Sequence, residues 1–104
     1  MNRFFISPDA TGDIDEILDY IDQLPIGPGE RVVDELQAMI LNIAAQPYLG
    51  APHSYLTRLI GHEARSRVVG PYRIFYRLKS SHPEIIAVLH SARDIRGILS
   101  VRFQ

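Results

Sequence analysis

The sequence predicts an α+β domain, a helical hairpin packed on a small antiparallel β-sheet in the order β-α-α-β-β-β. Three observations carry this. Apolar residues recur at helical spacing through the first half of the 104-residue chain. The apolar period changes to two after Ala64. Clusters of proline and glycine separate the periodic stretches.

Taken in order, Arg3 to Ser7 reads as a short first strand, and Ser7-Pro8-Asp9 as a turn and helix start with Ser7 or Asp9 as cap. Ile14, Ile17, Leu18 and Ile21 then form one apolar stripe with acids opposite. Leu24-Pro25-Ile26-Gly27-Pro28-Gly29 breaks that helix. A second helix fits Glu30 to Ala45, with Val33, Leu36, Ile40 and Ile43 as its stripe and Met39 as core filler, and Pro47 and Gly50 stop it. The short breaker makes the two an antiparallel hairpin. Residues 46–62 show no period and read as a connector.

Ala64 to Val69 is a strand, and Gly70-Pro71 turns the chain. In the strand Tyr72 to Lys79, Tyr72, Ile74, Tyr76 and Leu78 face one way and Arg73, Phe75, Arg77 and Lys79 the other. Ser80-Ser81-His82-Pro83 is a second turn, and the unbroken apolar run Ile85 to Leu89 suits a central strand buried on both faces. A short tail follows.

Length and composition predict one domain over residues 1–104, with 46% hydrophobic residues to build a core. A core this small leaves modest stability and favours a partner that covers residual apolar surface. Without cysteine there is no disulfide, thiolate zinc site or thiol nucleophile. No apolar run reaches the ~18 residues of a membrane span, and the start lacks a signal-peptide core. The expectation is a soluble, cytoplasmic protein with no membrane association. His53, His62 and His82 fall in loops without metal-ligand spacing, so neither a metal nor another cofactor is expected.

Charge is divided along the chain. Residues 1–52 hold nine acids and two arginines, and residues 53–104 hold nine cations and three acids. Eight of those nine cations are arginine, whose planar fork suits carboxylate and phosphate. The division predicts a basic working face, or simply acidic helices packed on a basic sheet.

Four strings in this order resemble the ParE/RelE superfamily of type II toxin–antitoxin systems. They are Ile6-Ser7-Pro8-Asp9-Ala10 running into Asp13 to Ile21, Ala44 to Gly50, Tyr72-Arg73-Ile74-Phe75-Tyr76-Arg77, and Val88-Leu89-His90-Ser91-Ala92-Arg93-Asp94. The resemblance covers nearly the whole chain and is closer to the ParE branch. It implies a toxin silenced by a ParD-like antitoxin whose disordered segment folds as it binds. It also implies a toxin–antitoxin hetero-oligomer that meets operator DNA only through the antitoxin. Ile17, Tyr20, Leu36, Ile40 and Tyr76 are the expected antitoxin contacts.

The superfamily divides by target. RelE-type toxins cut messenger RNA on the ribosome, which requires groups that move protons. Carried over by position, their two phosphate-binding arginines match Arg73 and Arg93. Their lysine positions fall near Ala64 and Ser66 and their tyrosine near Leu99, so those proton-transfer groups are missing. An RNase would rest on Arg73, His90 and Arg93, with His90 supplying acid–base chemistry. ParE-type toxins trap the DNA-cleaved complex of DNA gyrase and need a surface, not catalysis. Arg65, Arg67, Arg73, Arg77, Arg93, Arg96, Arg102 and Phe103 are the expected target contacts, with the stretch Arg93 to Gln104 at their centre. A third possibility is a non-toxic module that only binds antitoxin.

Overall fold

A computed structural model describes residues 2–25, 29–80 and 82–104. Part of the breaker between the predicted helices, 26–28, lies outside those residues, as does residue 81 of the second turn. The elements are β1 (Phe5–Ile6), α1 (Pro8–Asp22), α2 (Gly29–Ala45), β2 (Ala51–Pro52), α3 (Ser54–Ile60), β3 (Ala64–Val69), β4 (Tyr72–Lys79), β5 (His82–His90) and α4 (Ile95–Arg102), with a 3-10 turn at Pro47–Leu49. The strand order is β1-β5-β4-β3-β2, with β1 parallel to β5 and every other pair antiparallel.

The predicted α+β class, helix pair and three-strand meander are all present. The helical hairpin is half of the cover, because the sheet is buried on both faces. On the first face Ile17 of α1 and Leu36, Ile40 and Ile43 of α2 meet Tyr72, Ile74, Tyr76, Ile85 and Val88. On the second, Leu56 of α3 and Leu99 of α4 meet Ala64, Phe75, Ile86, Ala87 and Leu89. This two-sided burial is why β5 is apolar without a break from Ile85 to Leu89. Phe75 pairs with Ala87 and Tyr76 with Ile85, so Ile86 is an extra residue and the strand bulges there. The bulge sets Ile86 and Ala87 both into the second core.

The structure corrects three sequence readings. Residues 46–62 are not an unstructured connector, since they hold the 3-10 turn, β2 and α3. The short tail, left without an element in the sequence reading, is a helix, α4. The strand β5 starts at His82, taking in the predicted turn residues His82 and Pro83, which pair with Lys79 and Leu78.

Local chemistry explains the short elements. Ser7 caps α1 by accepting from Ala10 N at 3.1 Å, and Pro8 begins the helix. His53 Nδ1 caps α3 by accepting from Leu56 N at 3.2 Å, and Gly61 ends it with a φ of 75°. Asp94 Oδ1 caps α4 by accepting from Gly97 N at 3.1 Å. The buried Tyr76 hydroxyl donates to Pro47 O at 2.6 Å and accepts from Gly50 N at 3.1 Å. Burial pushes that phenol up, which keeps it a donor. A Cβ at residue 50 would collide with the Tyr76 hydroxyl, so only glycine permits this approach.

Candidate functional site

The sheet register decides where the arginines point. The two-residue turn Gly70-Pro71 sets Val69 opposite Tyr72 and Arg67 opposite Ile74. Arg65 and Arg67 therefore share the first face with Ile74 and Tyr76, whereas Arg73 and Arg77 share the second with Phe75. The single arginine-lined surface expected from the sequence is divided between two faces.

Most of these arginines are already engaged. Arg65 pairs with Glu63 at 2.6 Å and donates to the carbonyls of Tyr48 and Gly50. Arg67 donates to Asn42 Oδ1 at 2.9 Å. Arg77 pairs with Glu84 at 2.6 Å. Arg102 is a structural residue. Its guanidinium donates to both oxygens of the buried Asp13 carboxylate, at 2.8 and 2.9 Å. Asp13 Oδ2 also accepts from Val88 N at 2.9 Å. That N–H lies on the outer edge of β5, beyond the reach of the two-residue β1. The side-chain hydrogen bonds to Asp13 hold the Arg102 guanidinium protonated and raise its pKa. This clamp ties the end of α4 to α1 around the sheet margin. Phe103 packs partly buried on the second core.

Two regions bear on the expected contacts. The first is a groove of about 560 Å³ between α1, the start of α2 and the end of the sheet. Ile17, Tyr20, Ile21, Leu24, Val32 and Tyr72 give it apolar walls, and Glu16, His90 and Arg93 bring charge or polarity to its lining. Tyr20 is 58% exposed. Burial, and then the neighbouring Tyr20, push the Tyr72 phenol up. Of the five residues expected to meet an antitoxin, Ile17 and Tyr20 line this groove. Leu36, Ile40 and Tyr76 are buried in the first core instead of lining the groove.

The second region is the end of the second face, where Arg73 and Arg96 lie. Arg73 Nη1 donates to Ser66 Oγ at 3.1 Å. The Arg96 guanidinium lies 4.1 Å from the centre of the Tyr55 ring. His53 packs edge-on against Phe75 at 5.3 Å. Burial lowers the His53 pKa, and the charges of Arg73 and Arg96 lower it further. Sequence reasoning missed His53 because it stands in a stretch without period.

The trio Arg73, His90 and Arg93 is not assembled. Tyr72 pairs with His90 and Arg73 with Leu89, which places His90 and Arg73 on opposite faces. His90 packs edge-on against Tyr72 at 5.4 Å and its Nδ1 accepts from Ala92 N. Arg93 lines the groove with it. Among the described residues no group of three or more His, Asp or Glu is placed to hold a metal, and no helix is long and apolar enough to cross a membrane.

Comparison with known proteins gives matches of two kinds. A family model described as the ParE toxin of the type II toxin–antitoxin system parDE matches residues 4–95. No curated protein matches the chain. A solved structure titled "Chromosomal ParDE TA system from P. aeruginosa" shares the fold at a TM-score of 0.66 and 19% identity, covering 86% of this chain and 96% of that one.

Proposed function

The chain belongs to the ParE toxin family, and from that premise we propose that it arrests growth by binding DNA gyrase and stabilising its DNA-cleaved complex. A ParD-like antitoxin holds it silent, with operator DNA reached only through that antitoxin. The carrying observation is the family match across residues 4–95. The relative solved from P. aeruginosa is titled as a ParDE system, which supports a ParD-like partner here.

Geometry supports the division of labour. The groove beside α1 offers apolar walls to an amphipathic segment, with Arg93 and His90 in its lining to meet acidic side chains. A segment that folds on binding gains most from such a preformed apolar channel. Among the described residues, the expected target contacts without a carboxylate partner are Arg67 on the first face, Arg73 and Arg96 on the second, and Arg93 at the groove. An mRNA-cleaving reading needs a proton carrier facing Arg73. His90 is on the other face, and His53 Nδ1 is occupied as a helix cap.

The test is expression of the chain alone in bacteria. Growth arrest with filamentation and DNA-damage signalling is expected, relieved by co-expression of the antitoxin. Arrest with rapid transcript cleavage would move the chain to the RNase reading. Normal growth with soluble, folded protein would leave an inert antitoxin-binding module.

A further inference from the structure

At β1 the margin of the sheet is a bare edge. Ser7 N donates to Ile85 O at 2.9 Å, so Phe5 and Ser7 turn their backbone toward β5. Ile6, between them, turns its N–H and C=O out of the sheet, and among the described residues neither has a hydrogen-bond partner. Two other stretches of the margin are blunted. Asp13 takes the Val88 N–H of β5, and Pro52 of β2 has no N–H to offer. Phe5 is 57% exposed and Ile6 38%, which makes an apolar edge of the kind that sheets normally protect. The Phe5 ring stands edge-on to His82 at 6.0 Å. Beside it lies a depression of about 450 Å³ whose lining includes Ser7, Pro8, Arg77, Lys79 and Glu84. Phe5 pairs with Glu84 and Glu84 with Arg77, so the ring and the depression share the second face.

We propose that this margin pairs with a second copy of the chain, β1 against β1 in an antiparallel, two-fold arrangement. Such a contact has to be self-complementary, and this one is so in three respects. Ile6 of each copy meets Ile6 of the other, and the two exchange N–H···O=C bonds. In that register Phe5 stands opposite Ser7 of the second copy, on the same face, so each exposed ring enters the other's depression. Continuing the register, Arg3 reaches the first turn of the other α1, where Asp9 is exposed. A formal net charge of −1 leaves little repulsion between copies. The contact is smaller than a permanent dimer interface, so the dimer is reversible. This goes beyond the toxin reading and uses neither the groove nor the arginines of β4.

The test is sedimentation equilibrium of the full chain, purified free of antitoxin. A monomer–dimer equilibrium with a Kd of about 0.1 mM is expected. Phe5→Lys should raise that Kd about tenfold. Leu41→Lys, at a residue 62% exposed on α2, should change it by less than about twofold. The chain has no cysteine, so single replacements report proximity directly. A hydrogen-bonded antiparallel pair holds its Cα atoms about 5.5 Å apart, within reach of a disulfide. Under mild oxidation Ile6→Cys should give a covalent dimer and Leu41→Cys should not. A chain that stays monomeric up to about 1 mM, equal effects of Phe5→Lys and Leu41→Lys, or a covalent dimer from Leu41→Cys but not from Ile6→Cys would each overturn the proposal. The first of these outcomes would leave the edge to an extended segment of another protein.

Discussion

The two faces of the sheet are covered by helices of very different kinds. The first face carries α1 and α2, of 15 and 17 residues, and the second carries α3 and α4, of 7 and 8. Long amphipathic helices bring their own periodic stripe, and their packing follows from it. Helices of two turns do not persist alone in water. They are held by end caps from His53, Gly61 and Asp94, by Leu56 and Leu99 in the core, and at the far margin by the Arg102–Asp13 clamp. The first face is thus covered by periodicity and the second by single contacts. The first leaves an apolar groove open at one end, and the second leaves unneutralised arginines.

This contrast can be broken most severely at the clamp. Asp13→Ala leaves Arg102 only its 4.0 Å contact with Asp9 and strands the Val88 N–H, and should cost about 3–5 kcal/mol. Chemical denaturation measures the loss, and hydrogen exchange should show α4 opening before α2. Simultaneous opening of both helices would mean that the second face is not held separately. Next come Leu99→Ala and Ile43→Ala, one from each core and both fully buried. Each should cost about 2–5 kcal/mol, but only the first should raise exchange selectively in α3 and α4. Tyr76→Phe removes the hydroxyl that joins Pro47 and Gly50 and should cost about 1–3 kcal/mol, again by denaturation.

The smallest effect is on pH dependence. His53 has its pKa lowered in the fold from an ordinary 6.5, by burial first and then by Arg73 and Arg96. The unfolded chain then binds more protons than the folded one between the two values, so stability is full above about 6.5 and falls as pH drops through the lowered value. His53→Asn keeps a capping acceptor without titrating. It should flatten the His53 contribution to the acid slope of the thermal midpoint, and an unchanged slope would contradict this.

The same contrast explains what the sequence disclosed. α1, α2, β3 and β4 were legible because each is long enough to show a period, and β5 because an unbroken apolar run suits a strand buried on both faces. β2 and α3 were not, because two and seven residues define no period and their order depends on the sheet. The bulge at Ile86 was hidden inside a run where every residue is apolar. The division of the arginines between faces was readable in principle. A two-residue turn at Gly70-Pro71, with Gly70 at a φ of 55°, fixes which residues of β3 and β4 share a face. Arg102 had no such signal, because its partner Asp13 lies 89 positions away. The proposed groove residues were partly legible, since Ile17 and Tyr20 stand on the predicted helix. Leu36, Ile40 and Tyr76 show that an apolar stripe alone does not separate core from docking surface.

The most direct test of the central claim uses purified toxin, free of antitoxin, with DNA gyrase, ATP and supercoiled DNA, and in parallel with translating ribosomes. Linear DNA covalently attached to gyrase should accumulate with toxin concentration while messenger RNA stays intact. Cut transcripts with normal supercoiling would contradict the account.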